Sequence, residues 1–386
     1  MKILHLIDDW VFADGSIEVF KTFNVENKFI ILRSNENKKL EKIRNFQDVV
    51  IVQINTDAYE NLLHEHWDVI WVHGYRLEKG RFVARIDGRV AVVWSTWGFD
   101  YVKDIGLWPF GFRTTLLWLK TISLNEKAKT FIRYCIGKFR MTRILRHEKY
   151  LFFKRVNYYS TVVPTEHVFL ERILGRKAKQ IAFHYMGAQN TCVQAFPLVS
   201  LHAKRVWVGN SATLTNNHLD VFQRMKGTCD GYEVLTPVSY TLAGEVRDPV
   251  TEAIERSGER IFGENYKPIR AFMPFDEYVK LMATCSVFIF AHKRQQSVGN
   301  LVIALQCGGC VFMHSDSPVY KYFTSKGFVI YTLSDLKKGL DVVKTDFSSK
   351  QSINLRLMNE IRGRDVLIGE IRESVRYLEA AVLKNL

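Results

Sequence analysis

A chain of 386 residues, 47% of them apolar, can fill two hydrophobic cores of ordinary size, and a single domain of this length is unusual outside large barrels. Six cysteines are too few and too scattered for a secreted disulfide scaffold, and no window approaches the roughly 18 consecutive apolar residues of a membrane span. The net charge of +14 points to anionic partners, and its placement along the chain matters more than its size.

Met1 to Ile7 runs straight into strand-like sequence with no signal-peptide layout, so a cytoplasmic protein without a transmembrane helix is expected. The first half then alternates strands and helices, as an open parallel sheet requires. Lys2 to Ile7, Phe29 to Leu32, Val49 to Ile54, Val69 to Val72 and Val90 to Trp94 are the strand candidates, followed after an interruption by Tyr158 to Val163 and Gln180 to Phe183. Polar groups follow the first, fourth and fifth: Asp8, Asp9 and Asp14-Gly15-Ser16, then His73-Gly74-Tyr75, then Ser95 to Asp100.

The interruption, 103–155, is a basic, aromatic excursion. It holds thirteen Lys and Arg against three acids, ten of the fourteen net charges, and ten Trp, Phe and Tyr. Phe131, Ile132, Cys135, Ile136 and Phe139 share a helical face with Arg133 and Arg140 opposite, although Arg143 and Arg146 blur the pattern. Such a helix suits an anionic membrane surface, where each basic residue is worth about 1 kcal/mol. A helical insertion with solvated charges fits equally well. Nucleic acid is not expected, because no nucleic-acid-binding motif is present.

Periodicity lapses around Gly187 to His202, which places the boundary between a first domain at 1–195 and a second at 203–352. The second domain has its own strands at Val206 to Val208, Tyr232 to Val238, Ile269 to Met273, Val287 to Ala291, Val311 to Met313 and Val329 to Tyr331, and the tail, 353–386, is helical in pattern. Gly209-Asn210-Ser211 lets backbone approach a ligand, with Asn216 or Asn217 capping the helix His218 to Met225. Further on, Asp276 caps a helix from about Glu277 to Cys285. After the buried strand Val287 to Ala291 comes the basic loop His292 to Asn300, then a short buried helix, Leu301 to Gln306, ended by Gly308-Gly309. In a parallel sheet both loops lie at the carboxyl ends of strands, where helix N–H groups and the helix dipole favour phosphate oxygens. Two donor-rich loops at one edge favour a diphosphate ligand.

P-loop, dinucleotide-fold and zincin signatures are absent. Cys307-Gly-Gly-Cys310 closes a helix instead of opening one, so it lacks the support a redox pair needs. His64-Glu65-His66 is too tightly spaced for a helical zinc pair, and Asp8-Asp9 and Asp316 lack partners for Mg²⁺. No essential protein-bound metal and no resident cofactor are expected.

Val208-Gly209-Asn210-Ser211 with Asn217-His218, then Phe290-Ala291 and Arg294-Gln295-Gln296-x-x-Gly299, together with His73-Gly74 and Trp97-Gly98-x-Asp100 upstream, resemble glycosyltransferase family 56. These are the TDP-4-acetamido-4,6-dideoxygalactose:lipid II transferases of enterobacterial common antigen synthesis. The resemblance covers most of the chain, and R-Q-Q-x-x-G is its most specific piece; the 103–155 region is noticeably longer here. It implies an α/β GT-B fold of two Rossmann-like parallel-sheet domains facing a cleft. It also implies a nucleotide-diphosphate sugar donor, dTDP-linked, on the C-terminal domain, and a polyprenyl-diphosphate-linked glycan acceptor at the inner face of the cytoplasmic membrane. The nucleotide sugar is then a co-substrate.

Transfer without metal needs basic side chains and helix N-termini to stabilise the departing diphosphate. Arg294, Gln295, Gln296, Gly299 and Asn300 are expected in that role, with Lys293 beside them and Gly209, Asn210 and Ser211 on the neighbouring strand; Glu277 could reach the ribose. If the anomeric centre inverts, a base must deprotonate the acceptor, with Asp100 first in order, then His73, then Asp14. A retaining reaction needs no such base. The rival readings are a sugar-nucleotide epimerase of the same fold and a non-enzymatic basic module binding lipid or nucleic acid.

Overall fold

The protein is described from a computed structural model covering residues 1–34, 40–102, 104–138, 147–175, 178–186, 196–239 and 248–384. Its two units are not consecutive halves of the chain. The first comprises Met1–Leu107, Arg133–Thr191 and Gly363–Leu386; the second comprises Trp108–Ile132 and Cys192–Arg362. This corrects the expected division at 195–203, because part of the basic excursion belongs to the second unit and the end of the tail to the first.

In the first unit seven strands form one parallel sheet in the order β3-β2-β1-β4-β5-β6-β7: β1 Lys2–Leu6, β2 Glu26–Arg33, β3 Val49–Gln53, β4 Val69–His73, β5 Ala91–Ser95, β6 Tyr158–Ser160 and β7 Lys179–Gln180. The central strands read as unbroken apolar runs because helices cover both faces; all five residues of β4 are buried. The helix Arg364–Leu383 contributes Leu367, Ile371, Val375 and Leu378 to one of the two cores flanking this sheet. Its Ser374 Oγ accepts the Ala182 N–H at 3.0 Å, and Glu370 pairs with His184.

The second unit holds six parallel strands in the order β10-β9-β8-β11-β12-β13: β8 Arg205–Val208, β9 Glu233–Pro237, β10 Tyr266–Ile269, β11 Val287–Phe290, β12 Cys310–Met313 and β13 Tyr331–Thr332. In each sheet the order reverses beside the first strand, between β1 and β4 and between β8 and β11. In open α/β sheets, ligands bind at such reversals.

Every expected strand exists, and the largest displacement is β10, which lies before the expected Ile269 to Met273. Pro268 stands inside it, tolerated because β10 is an edge strand that loses no ladder bond on its outer side. Beyond it Phe272 is exposed. Asp276 does not cap its helix. That helix runs Phe275–Met282 behind Pro274, with Asp276 and Glu277 in its first turn, where carboxylates complement the dipole.

The basic excursion divides between the units. Helix Phe112–Thr121 packs Leu117 into the core of the second unit, and the carboxylate of Asp220 caps its start, accepting the N–H groups of Arg113 at 3.0 Å and Thr114 at 2.9 Å. Helix His147–Arg155 buries Phe152 and Phe153 in the first unit. Lys103, Phe139, Arg140, Arg143 and Arg146 lie outside the described residues. Burial pushes the Cys307 thiol up to about 12 and the Cys310 thiol higher still, so both are packed, protonated thiols and not a redox pair. Among the described residues no helix is long and apolar enough to cross a membrane.

Candidate active site

In the second unit the loops after β8 and β11 meet at the sheet reversal. Gly209 takes φ +73, and a Cβ there would lie 2.6 Å from His218 Nε2 and 2.8 Å from Asn216 Oδ1. Both the conformation and the crowding therefore demand glycine. Gly209→Ala is expected to destabilise this unit by about 1–3 kcal/mol and to weaken nucleotide binding, read by thermal melting and by titration with dTDP.

Asn216, fully buried, organises the turn. Its Oδ1 accepts the Asn210 N–H at 2.9 Å and its Nδ2 donates to the Ser211 carbonyl at 2.8 Å. The same Oδ1 lies 2.7 Å from Nε2 of His292. Burial, aided by Arg294 and His218, holds His292 well below the usual histidine range, so its neutral ring must carry the proton on Nε2 to make that bond. Asn217 stands at the expected cap position, but in the left-handed region and with no side-chain cap bond. Its amide instead donates to the carbonyls of Ala291 at 2.9 Å and Pro109 at 3.2 Å, and its Oδ1 accepts the Gly111 N–H at 2.7 Å.

Gln296 joins the two loops. Its Oε1 accepts from Thr215 Oγ1 at 2.7 Å and its Nε2 donates to Asn210 Oδ1 at 3.1 Å and Thr213 Oγ1 at 3.3 Å. Expected to face a phosphate, it is occupied as a brace. Arg294 donates from Nη1 to the Gln295 carbonyl at 3.0 Å and stays half-buried, Gln295 is buried, and Lys293 reaches the Phe110 carbonyl at 3.1 Å. The expected loop ends earlier than predicted, because the following helix runs Val298–Gln306. Gly299 and Asn300 therefore lie in its first turn, where N–H groups have no intrahelical partner. Ser297, left-handed at φ 61, precedes them with a buried hydroxyl that has no hydrogen-bond partner. Asn300 Nδ2 donates to Tyr278 Oη at 2.9 Å, and Glu277 is exposed on the neighbouring helix. One electropositive turn thus combines Arg294, Lys293, an unpartnered hydroxyl and a helix start.

In the first unit the ends of β1, β4 and β5 carry the candidate bases. Asp100 is buried; its Oδ2 accepts the N–H groups of Trp97 at 2.9 Å and Tyr75 at 3.1 Å, while Oδ1 has no hydrogen-bond partner. Burial pushes its carboxyl up to about 6, against those two bonds and the ammonium groups of Lys149 and Lys79. Lys79, buried, donates to Asp8 Oδ2 at 2.7 Å and to the His73 carbonyl at 2.6 Å, while Asp8 also takes Arg76 at 2.8 Å. Neither buried lysine is legible in the sequence, because the carboxylates that pair with them, Asp8 and Asp104, lie on other elements.

His73 is buried in a ring cluster with Trp71, Phe183 and Phe20. Its Nε2 lies 3.1 Å from His5 Nδ1, and His5 Nε2 lies 2.9 Å from Asn27 Oδ1. Burial holds both rings neutral, His5 down to about 3. Asp14 is a brace: its carboxylate accepts the Arg44 and Asn45 N–H groups at 3.0–3.1 Å. Asp9 likewise accepts three backbone N–H groups, from Glu41, Lys42 and Ile43. Among the described residues no three His, Cys, Asp or Glu side chains are grouped to hold a metal.

The chain is similar in fold, over nearly its whole length, to several solved structures. Sucrose-phosphate synthase from Thermosynechococcus elongatus aligns with a TM-score of 0.67 at 9% identity, covering 99% of this chain and 100% of that one. A lipopolysaccharide outer core galactosyltransferase gives 0.60 at 10% identity over 98% and 99%. The trehalose-6-phosphate protein from E. coli, bound with UDP-2-fluoro glucose, gives 0.59 at 11% identity over 99% of each chain. Two parallel-sheet α/β domains with a helical C-terminus give this chain the GT-B fold, and the family match over residues 168–347 makes it a glycosyltransferase. More narrowly, residues 168–347 match the family described as 4-alpha-L-fucosyltransferase, glycosyl transferase group 56, which bears out the resemblance carried by the motifs from Val208 to Gly299; His73-Gly74 and Trp97-Gly98-x-Asp100 lie outside the matched residues.

Proposed function

We propose that this enzyme moves an aminodeoxyhexose from a nucleotide diphosphate, dTDP-linked, to a polyprenyl-diphosphate-linked oligosaccharide in bacterial surface polysaccharide synthesis. The observation that carries the donor assignment is the Gln296 brace, which sets Gly209 to Ser211 beside the Arg294 turn at the reversal of the second sheet. In the reaction the bond from C1 to the diphosphate oxygen breaks, its electron pair leaves with the nucleotide, and the acceptor oxygen bonds to C1. Arg294, Lys293 and the helix start at Val298 stabilise the departing charge, without a metal ion. Asp100 takes the acceptor proton. Incubating the protein with dTDP- and UDP-sugars, a short prenyl-diphosphate disaccharide and EDTA tests the reading. A product heavier by one sugar supports it, whereas epimerised donor with no product supports the epimerase.

The proposed working place is the inner face of the cytoplasmic membrane. Helix Phe112–Thr121 exposes Phe112, Leu116 and Leu119 along one stripe, and helix Leu124–Lys138 exposes Leu124, Phe131 and Ile132; Arg113, Lys120 and Lys129 are exposed beside them. Apolar side chains among cations suit anionic lipid better than nucleic acid. Changing Lys120, Lys127 and Lys129 together to Gln is expected to reduce partition onto phosphatidylserine vesicles by about 100-fold, at about 1 kcal/mol per charge. Unchanged co-sedimentation would show these charges to be merely solvated.

A further inference from the structure

Five aromatic rings of the first unit gather beside Asp100. Trp10 and Phe12 come from the segment after β1, Trp97 and Phe99 from the segment after β5, and Tyr185 from the segment after β7. Trp97 stacks on Tyr185 with centroids 4.1 Å apart, meets Trp10 edge-on at 5.0 Å and lies 5.3 Å from Phe12; Phe99 is 5.9 Å from Trp10. Tyr185 anchors the group on the core against Phe183 and His73. Phe99 is 51% exposed, and Trp10, Phe12, Trp97 and Tyr185 all keep part of their surface in water.

The backbone around them is shaped for the cluster. Gly74 takes φ +70, and a Cβ there would lie 2.9 Å from Trp97 Cδ1 and 3.2 Å from Trp10 Cη2, so only glycine lets the two indoles close over it. Asp100 Oδ2, by accepting the Trp97 and Tyr75 N–H groups, fixes the two loops that flank this contact. An ionic rim completes the surface: the Arg76 guanidinium stands 6.0 Å from the centre of the Trp10 ring and pairs with Asp8 at 2.8 Å.

Apolar ring faces edged by charged groups match a pyranose, which has an apolar C–H face and a rim of hydroxyls. A prenyl chain offers nothing to Asp8 or Arg76 and would only desolvate them. We propose that this platform is the acceptor sugar subsite, stacking a pyranose of the acceptor glycan on the rings that flank Asp100. This rests on the transferase reading above.

Two measurements on wild type, Phe99→Ala, Trp10→Ala and Trp10→Phe test it, using a short prenyl-diphosphate disaccharide and the methyl glycoside of the same disaccharide. In steady-state transfer the two alanine variants should raise the acceptor KM about thirtyfold, the effect of truncating a strong contact residue, with unchanged dTDP affinity, and Trp10→Phe should retain most acceptor binding. In saturation-transfer NMR without nucleotide, the methyl glycoside should receive saturation at its ring C–H protons from wild type and lose it with Phe99→Ala. An acceptor KM and saturation pattern unaffected by either alanine would overturn the subsite. So would a KM defect with the prenyl-diphosphate disaccharide while saturation of the methyl glycoside is unchanged in Phe99→Ala, which would make the platform a lipid contact. Sugar saturation by a wild type that binds no nucleotide diphosphate would retain the platform as a sugar site and overturn the transferase reading instead.

Discussion

Arg294→Ala is expected to lower kcat by about 10²–10³, the range found when one donor to a developing negative charge is removed. The side chain leaves the loop between β11 and the helix Val298–Gln306, and its Nη1 bond to the Gln295 carbonyl holds the guanidinium in place, half-buried. A fixed guanidinium offers a planar fork to two phosphate oxygens at once, so Arg294→Lys should restore only part of the rate, supplying charge without the fork. The loss should fall on kcat more than on the acceptor KM, because the charge it meets grows as the leaving diphosphate departs. The fold should survive, since Gln296 and not Arg294 ties the two loops together. Near-normal turnover in a folded variant would remove this loop from the phosphate site.

Asp100→Asn is expected to abolish most transfer and to make the protein more stable at neutral pH. Burial without a full set of partners pushes the folded carboxyl up to about 6, above the unfolded value near 4. Between those values the folded protein retains a proton that the unfolded chain has lost, so stability falls as pH rises through that window, and the penalty is fully present above about pH 6. A neutral amide removes it while its oxygen still accepts the Trp97 and Tyr75 N–H groups. The gain should be on the order of 2–3 kcal/mol at pH 8, shrink as the pH falls from about 6 to about 4 and be absent below that. Activity should show the opposite preference: kcat/KM for the acceptor should fall below about pH 6 as the base is protonated. Denaturant melts at pH 4 and pH 8, with the pH profile of transfer, check both halves. Wild-type transfer by the Asp100→Asn variant would reduce Asp100 to the turn-holding carboxylate that its two backbone bonds already describe.

The strands are legible in the sequence because a sheet covered on both faces leaves unbroken apolar runs such as Val287 to Phe290. The loops that follow them are legible for the same reason: once two strands are parallel, Gly209 and Arg294 must emerge at one edge. Pairing of those loops by Gln296 is not readable, since a glutamine after an arginine looks alike whether it meets a phosphate or the hydroxyl of Thr215. The assignment of Trp108–Ile132 to the second unit is also hidden. It depends on Asp220 and Asn217 bonding to backbone more than a hundred residues away, which leaves no local trace in composition or period. Lys79 and Lys149 look like solvated helix charges for a related reason. Their burial is decided by Asp8 and Asp104, carboxylates on other elements, and not by the helices that carry them.

Calorimetric titration of dTDP and UDP into the wild-type protein, with EDTA present, addresses the donor site most directly. A nucleotide diphosphate should bind at one site per chain, with affinity that survives EDTA and weakens in Arg294→Ala. Failure of every nucleotide diphosphate to bind the folded protein would contradict the donor assignment, and with it the proposed transfer.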